Sequence, residues 1–147
     1  KHETEVWFEV TTLLIPGYND SGIELEKMSC WMVEQLGPEV PLHFSAFHPD
    51  WKMTHVERTP HQTLIRAREI ALANGIHHVY LGNVHDHQSS STYCHACGQI
   101  LIGRDWYVLS DWNLDSQGRC SNCLEPCPGH FEPTPGSWGS RRQPVKV

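Results

Sequence analysis

The first half of the chain switches between two hydrophobic periods. Residues 6 to 15, VWFEVTTLLI, are β-branched and aromatic with little polar alternation at their end, which predicts a strand covered on both faces. Pro16-Gly17 stops it. From about Ser21 the period lengthens to that of a helix: Ser21 and Glu24 form a capping-box pair, and Leu25, Met28, Met32 and Leu36 share one face before Gly37-Pro38. Val40 to Phe47 reads as a second strand. Thr59-Pro60 with Gln62 is expected to cap the next helix, whose narrow apolar stripe is Leu64, Ala67 and Ala71, ended by Asn74-Gly75. Ile76 to Leu81 is the third strand. Strands and helices alternating in this way predict right-handed βαβ units and a parallel sheet.

Parallel sheets bind ligands at the carboxyl ends of their strands, so the loops of interest are 16 to 20, 48 to 53 and 82 to 87. They read PGYND, HPDWKM and GNVHDH, while the opposite ends, Gly37-Pro38 and Asn74-Gly75, carry only turn chemistry. That asymmetry has the pattern of a barrel-type site. Three strands do not close a barrel, which takes roughly 250 residues. The open edges predict that the rest of the sheet comes from elsewhere: an amino-terminal barrel half, a partner subunit or a second copy.

Composition narrows the function classes. With 147 residues, 39% apolar and 10% aromatic, the chain can build a core. A net charge of -6 opposes a generic nucleic-acid binder, which needs a basic face. No stretch approaches the ~20 apolar residues of a membrane span, and Lys1 to Glu5 has no signal-peptide core, so the expectation is a cytoplasmic protein. Eleven histidines invite a second metal site from His85 and His87 with His55, His77 and His78, but that many histidines pair by composition alone. Residues 85 to 93 read more simply as a polar linker.

Five of the six cysteines fall between positions 94 and 127. Cys94-His-Ala-Cys97 and Cys120-Ser-Asn-Cys123 are two Cys-x-x-Cys knuckles, whose short turns aim both sulfurs of a pair the same way. The ligand set is therefore Cys94, Cys97, Cys120 and Cys123, with Cys127 either substituting for Cys123 or a spare thiol. In a reducing compartment this spacing means metal rather than disulfide. Structural zinc is the usual occupant, and the same thiolates accept iron or an iron-sulfur cluster. Cys97-Gly98 through Ile102 followed by a strand at Trp106 to Leu109 is ribbon grammar.

The order of these segments carries a resemblance. LLIPGYND, PLHFSAFHPDWKM, the helix opened by Thr59-Pro60, HHVYLGNV, CHACGQILIGR and GRCSNC resemble in order the carboxyl-terminal part of the radical S-adenosylmethionine (SAM) enzymes of the AmmeMemoRadiSam system, themselves similar to the pyruvate formate-lyase activating enzyme. The resemblance covers roughly residues 6 to 132; in the tails of such relatives a glycine usually follows the second knuckle's last cysteine, where Leu124 stands here. It implies an α/β fold, with a partial (β/α) radical-SAM-type barrel (βαβαβ) over 1–88 and a small zinc-ribbon-like four-cysteine domain over 89–132; the Pro/Gly-rich composition of 133–147 predicts a disordered or draped tail. It implies SAM-pocket roles for His48, Pro16, Gly17, Gly82 and Asn83; read without it, His48 is a helix- or loop-capping imidazole and Pro16-Gly17 a tight turn. Such enzymes also hold a [4Fe-4S] cluster on a Cys-x3-Cys-x2-Cys loop, which this chain lacks. Activating-enzyme relatives take a hydrogen atom from a glycine of a partner protein, which makes a protein substrate the implied partner. Two other classes stay open: an iron-containing electron carrier, and a non-catalytic zinc-ribbon interaction module.

Overall fold

A computed structural model describes residue 4, residues 6–137 and residues 139–141. Most of the opening segment 1–5, together with residue 138 and residues 142–147 of the 133–147 tail, lies outside the described residues. The chain forms two compact units, Lys1–Ser89 and Ser90–Val147.

The first unit is built from β1 (Val10–Leu14), α1 (Gly22–Leu36), β2 (Leu42–Ala46), α2 (His61–Ala73) and β3 (Val79–Gly82), with a short α3 (His87–Ser90) at its end. The three strands are parallel in the order β1-β2-β3, and Thr12, Phe44 and Leu81 share one register position. Strand order advancing in one direction through same-handed crossovers puts both helices on the same side of the sheet. The core agrees: Leu25 and Met32 of α1 and Leu64, Ala67 and Ala71 of α2 join Leu14, Leu42, Phe44, Ala46, Val79 and Leu81 in one buried cluster. Those strand residues alternate with Thr11, Leu13, His43, Ser45, Tyr80 and Gly82, which therefore lie on the helix-free face.

This corrects the expectation for the first strand. It is shorter than residues 6 to 15 and is covered on one face only, with Leu13 43% exposed. The second and third strands are likewise shorter than the apolar runs that contain them. Helix α1 begins as the sequence implied, with Ser21 Oγ accepting from the Glu24 N–H at 3.3 Å. It ends at Gly37, whose φ of 89° lies in the region glycine adopts freely and whose N–H bonds the Met32 and Val33 carbonyls.

Helix α2 departs from expectation. Its N-cap is Pro60, with no side-chain cap. Thr59 is buried between two strand ends instead: its hydroxyl donates to the Leu14 carbonyl at 2.6 Å and accepts from the Phe47 N–H at 2.8 Å. The Thr59 N–H returns to the Phe47 carbonyl at 3.1 Å. A hydroxyl that completes two buried backbone groups gains more there than at an exposed cap.

In the second unit β4 (Thr92–Tyr93), β5 (Ile100–Asp105) and β6 (Val108–Trp112) form an antiparallel sheet in sequence order. Trp106 and Tyr107 make the β5–β6 turn, with Trp106 at φ 52°, so the strand expected at Trp106 to Leu109 begins two residues later. Segment 85 to 93 contains the boundary between the two units, as a linker would, but it is built into regular structure, holding α3 and β4. Ser89, Ser91 and Thr92 are buried; Ser91 Oγ accepts from the Arg104 N–H at 3.1 Å, and Thr92 Oγ1 accepts from the Arg104 guanidinium. Small hydroxyls that look like linker composition serve here to satisfy a strand and its arginine. Leu101, Ile102 and Leu114 pack with Cys94, Cys120 and Cys127, flanked by Leu109, Trp112 and Phe131.

Candidate functional site

The two knuckles fold as near copies. In the first, the Cys94 carbonyl accepts from the Gly98 N–H at 2.9 Å and the Cys94 N–H donates to the Gln99 carbonyl at 2.8 Å. In the second, the Cys120 carbonyl accepts from the Leu124 N–H at 2.9 Å and the Cys120 N–H donates to the Glu125 carbonyl at 2.8 Å. Both turns need a left-handed residue after the second cysteine: Gly98 has φ 75° and Leu124 has φ 65°. Leucine thus takes the conformation that glycine would supply, and the turn is kept.

Other bonds hold the knuckles in place. Asn113 receives the Ser121 N–H on its carbonyl at 3.0 Å and donates from Nδ2 to the Ile100 carbonyl at 2.8 Å. Asp115 organises the loop before the second knuckle, with Oδ1 accepting from the Gln117 and Arg119 N–H groups and Oδ2 from Arg119 Nε, each at 2.9 Å. The Arg119 N–H is the leading cause that holds the Asp115 carboxyl below its ordinary range.

The outcome is a convergent set of ligand atoms. The sulfurs of Cys94, Cys97, Cys120 and Cys123 all lie within 4.8 Å of one another, with Cys94 and Cys120 buried and Cys97 and Cys123 exposed. Across the knuckles, Cys94 Sγ lies 3.6 Å from Cys123 Sγ and Cys97 Sγ 3.7 Å from Cys120 Sγ. Four soft donors in this arrangement can hold a metal ion such as zinc. Cys127 is buried but outside the group, and Cys30 is exposed on α1, where its Sγ donates to Asn74 Oδ1 at 3.1 Å.

The thiols do not share one acidity. Asn122 Nδ2 donates to Cys97 Sγ at 3.5 Å and, with the Gln99 N–H, brings Cys97 down to about 6. Burial pushes Cys94 up. At Cys123 the Glu125 N–H favours the thiolate, but desolvation and the crowding of Cys97, Cys94 and Cys120 outweigh it and push the thiol up to about 12. Negative charge gathered on four sulfurs calls for a cation, and a dication removes the repulsion that keeps the last protons on.

The other candidate residues lie along one edge of the first unit. Pro16 and Gly17 follow β1, His48 follows β2, and Gly82 and Asn83 end β3, so all sit at the carboxyl ends of the strands. Several have local duties. Gly17, at φ 76°, donates its N–H to Asp20 Oδ1 at 2.8 Å. A Cβ on Gly82 would come within 2.9 Å of Ser45 Oγ. Asn83, at φ 60°, donates from Nδ2 to the Ala46 carbonyl at 3.1 Å, and its own carbonyl accepts from Arg58 at 3.0 Å. His48 is exposed and carries no such bond among the described residues.

Sequence reasoning missed the groups that complete this edge. Asn19 accepts from the Ile15 N–H at 2.7 Å and donates to the Leu13 carbonyl at 2.9 Å, while Thr59 does the same work one step along. On the helix-free face His43 Nε2 lies 2.6 Å from Glu9 Oε2, and its ring stacks on Tyr80 with centroids 5.0 Å apart. The signal for His43 was its alternation with Leu42 and Phe44, which assigns it to the face opposite the core. Among the described residues the histidines considered as a metal site do not converge; His55 faces Tyr18 and His77 faces Glu39 at 3.1 Å. No helix among them is long and apolar enough to cross a membrane.

Comparison with known proteins adds one relative. An uncharacterized protein of Methanocaldococcus jannaschii is 45% identical over 121 residues, covering 82% of this chain and 36% of that protein. The chain thus spans about a third of the length of the curated relative it matches. No described protein family and no solved structure matches it.

Proposed function

We propose that this chain is the carboxyl-terminal portion of a radical SAM enzyme of the glycyl-radical-activase-like type, joining a segment of (β/α) barrel wall to a zinc-ribbon-like metal domain. The observation that supports the reading most is the winding of the first unit. Three parallel strands advance in order with both helices on one face, as in a barrel wall, an arrangement that one half of a doubly wound sheet shares. The helix-free face, with Thr11, His43, Ser45 and Tyr80, then corresponds to a barrel interior.

On this reading His48, Pro16, Gly17, Gly82 and Asn83 contribute to the SAM pocket. Gly17 leaves open space at the rim, Gly82 makes way for the Ser45 side chain, Asn83 fixes the end of β2, and the exposed imidazole of His48 is free to hydrogen-bond a ligand. The chain's cysteines do not fit the [4Fe-4S] loop: the cluster they form joins two distant knuckles, and Cys127 stands outside it. The iron-sulfur centre and the remaining strands therefore belong to an amino-terminal barrel half or a partner subunit, and the relative's additional length is consistent with the former. In the ribbon, zinc bound by Cys94, Cys97, Cys120 and Cys123 supplies folding energy rather than chemistry. A partner protein carrying the glycine to be activated is the proposed substrate, and the cytoplasm the proposed location.

The test is equilibrium SAM binding to the chain and to His48→Ala. Weak binding that drops at least fivefold in the variant is expected, with formation of 5′-deoxyadenosine only when a cluster-bearing half is supplied. Undetectable SAM binding, or affinity indifferent to His48→Ala, would count against the reading. The half-exposed cluster favours one other reading, an iron centre for electron transfer, which iron content and a reducible visible band would reveal.

A further inference from the structure

The two knuckles are copies in backbone but not in side chain. Each brings one buried and one exposed cysteine to the cluster, and their turns close on matching bonds from Gly98 and Leu124. Each exposed sulfur also takes a backbone N–H, that of Gln99 at Cys97 and that of Glu125 at Cys123. The symmetry ends at the residue before the second cysteine, which is Ala96 in the first knuckle and Asn122 in the second. Asn122 reaches out of its own knuckle and donates from Nδ2 to Cys97 Sγ at 3.5 Å. Ala96, at the matching place, offers a methyl group and no donor.

We propose that Asn122 is a positioning residue of the metal site: it holds the exposed thiolate of Cys97 in place and leaves Cys123 as the ligand that opens first. The inference rests on the reading of the four cysteines as a zinc site and adds an order among its ligands.

Solutes meet the cluster at Cys97 and Cys123, since Cys94 and Cys120 are buried. On a bound dication all four ligands are thiolates, so exposure and acidity no longer separate Cys97 from Cys123. What separates them is how the sulfur lone pairs are occupied. A hydrogen bond donated to a thiolate stabilises the negative charge on that sulfur. An electrophile then finds the lone pair less available, and the sulfur stays aimed at the ion when the metal–sulfur bond lengthens. Cys97 has a donor of this kind from the facing knuckle as well as from its own turn. Because Asn122 is itself exposed, its bond competes with water, and the effect belongs at the lower end of what such partners contribute.

The test uses the chain with Cys30→Ser, which removes the exposed thiol outside the cluster. It is loaded with zinc and treated with a small fraction of an equivalent of iodoacetamide, and peptide mapping locates the first label. Cys123 is expected to carry it about fivefold ahead of Cys97, the ratio that one net hydrogen bond sustains. Asn122→Ala should abolish that preference and speed zinc release to a chromogenic chelator by about tenfold. Moving the donor to the first knuckle, with Ala96→Asn and Asn122→Ala together, should reverse the order of labelling. In the cobalt-substituted chain, Asn122→Ala should move the sulfur-to-cobalt charge-transfer band to longer wavelength, a shift that a change in folding stability alone does not produce. Both substituted positions are exposed, and far-ultraviolet circular dichroism checks that the fold is kept. Labelling of Cys97 first or equally in the parent, or an order that Asn122→Ala leaves unchanged, would overturn the proposal while the zinc site stands. A chain that takes up no zinc would overturn the metal reading and the proposal with it.

Discussion

Replacing Thr59 by valine tests the structure of the functional rim without changing side-chain volume. The hydroxyl is the hydrogen-bond partner of the Leu14 carbonyl and the Phe47 N–H, and both residues are buried, at 0% and 7% exposure. Valine fills the same space and leaves one acceptor and one donor without a partner. Each unsatisfied buried group costs roughly 1–3 kcal/mol. Their sum is roughly 2–6 kcal/mol, and because the site lies near the sheet edge, where water can reach in part, we expect about 3 kcal/mol. Thr59→Ser keeps the hydroxyl and removes one methyl group, for about 1 kcal/mol. Urea denaturation followed by far-ultraviolet circular dichroism measures both. The Phe47–Thr59 pair also closes the base of loop 48–58, so under the proposed function Thr59→Val should weaken SAM binding through His48 while Thr59→Ser should not. A Thr59→Val variant within 0.5 kcal/mol of the parent, a shift below the cost of a single lost hydrogen bond (about 1 kcal/mol), would refute the bridging role.

Other outcomes follow from the metal site. Metal binding must displace the protons that Cys123 and Cys94 retain, so affinity should rise with pH through the neutral range and fall on acidification. Below about 6 even Cys97 becomes protonated, and the loss should steepen. Chelator competition at several pH values, with calorimetry in buffers of differing ionisation enthalpy, reads both affinity and proton release. Leu124→Gly should stabilise the second unit by about 0.5–1 kcal/mol, because leucine at φ 65° carries left-handed strain that glycine escapes; Leu124→Val, β-branched, should destabilise it. Phe44→Ala, at a fully buried position, should cost about 3–5 kcal/mol in the first unit and leave zinc affinity unchanged, as measured by thermal unfolding and zinc titration.

The legible parts of the sequence are those fixed by local periodicity. Leu25, Met28, Met32 and Leu36 announced α1, Ser21 and Gly37 its ends, and the βαβ alternation the parallel sheet. The knuckles were legible because two residues between cysteines leave few conformations for the turn. What was not legible depends on partners distant in sequence. Thr59 reads as a cap because capping is local, whereas Leu14 and Phe47, 45 and 12 residues away, decide its role. Hydroxyl-rich 89–92 reads as linker because nothing local shows that Arg104 will need it. One-sided coverage of β1 follows from the strand order, which sequence gives only through handedness.

The most direct measurement is metal content per chain with the ultraviolet-visible spectrum, on protein purified without oxygen. The account predicts one zinc per chain, lost on combined substitution of Cys94, Cys97, Cys120 and Cys123, and no visible absorption; under the proposed function any iron-sulfur chemistry then lies outside this chain. Stoichiometric iron with a visible band that bleaches on reduction would contradict it and make the ribbon itself the redox centre.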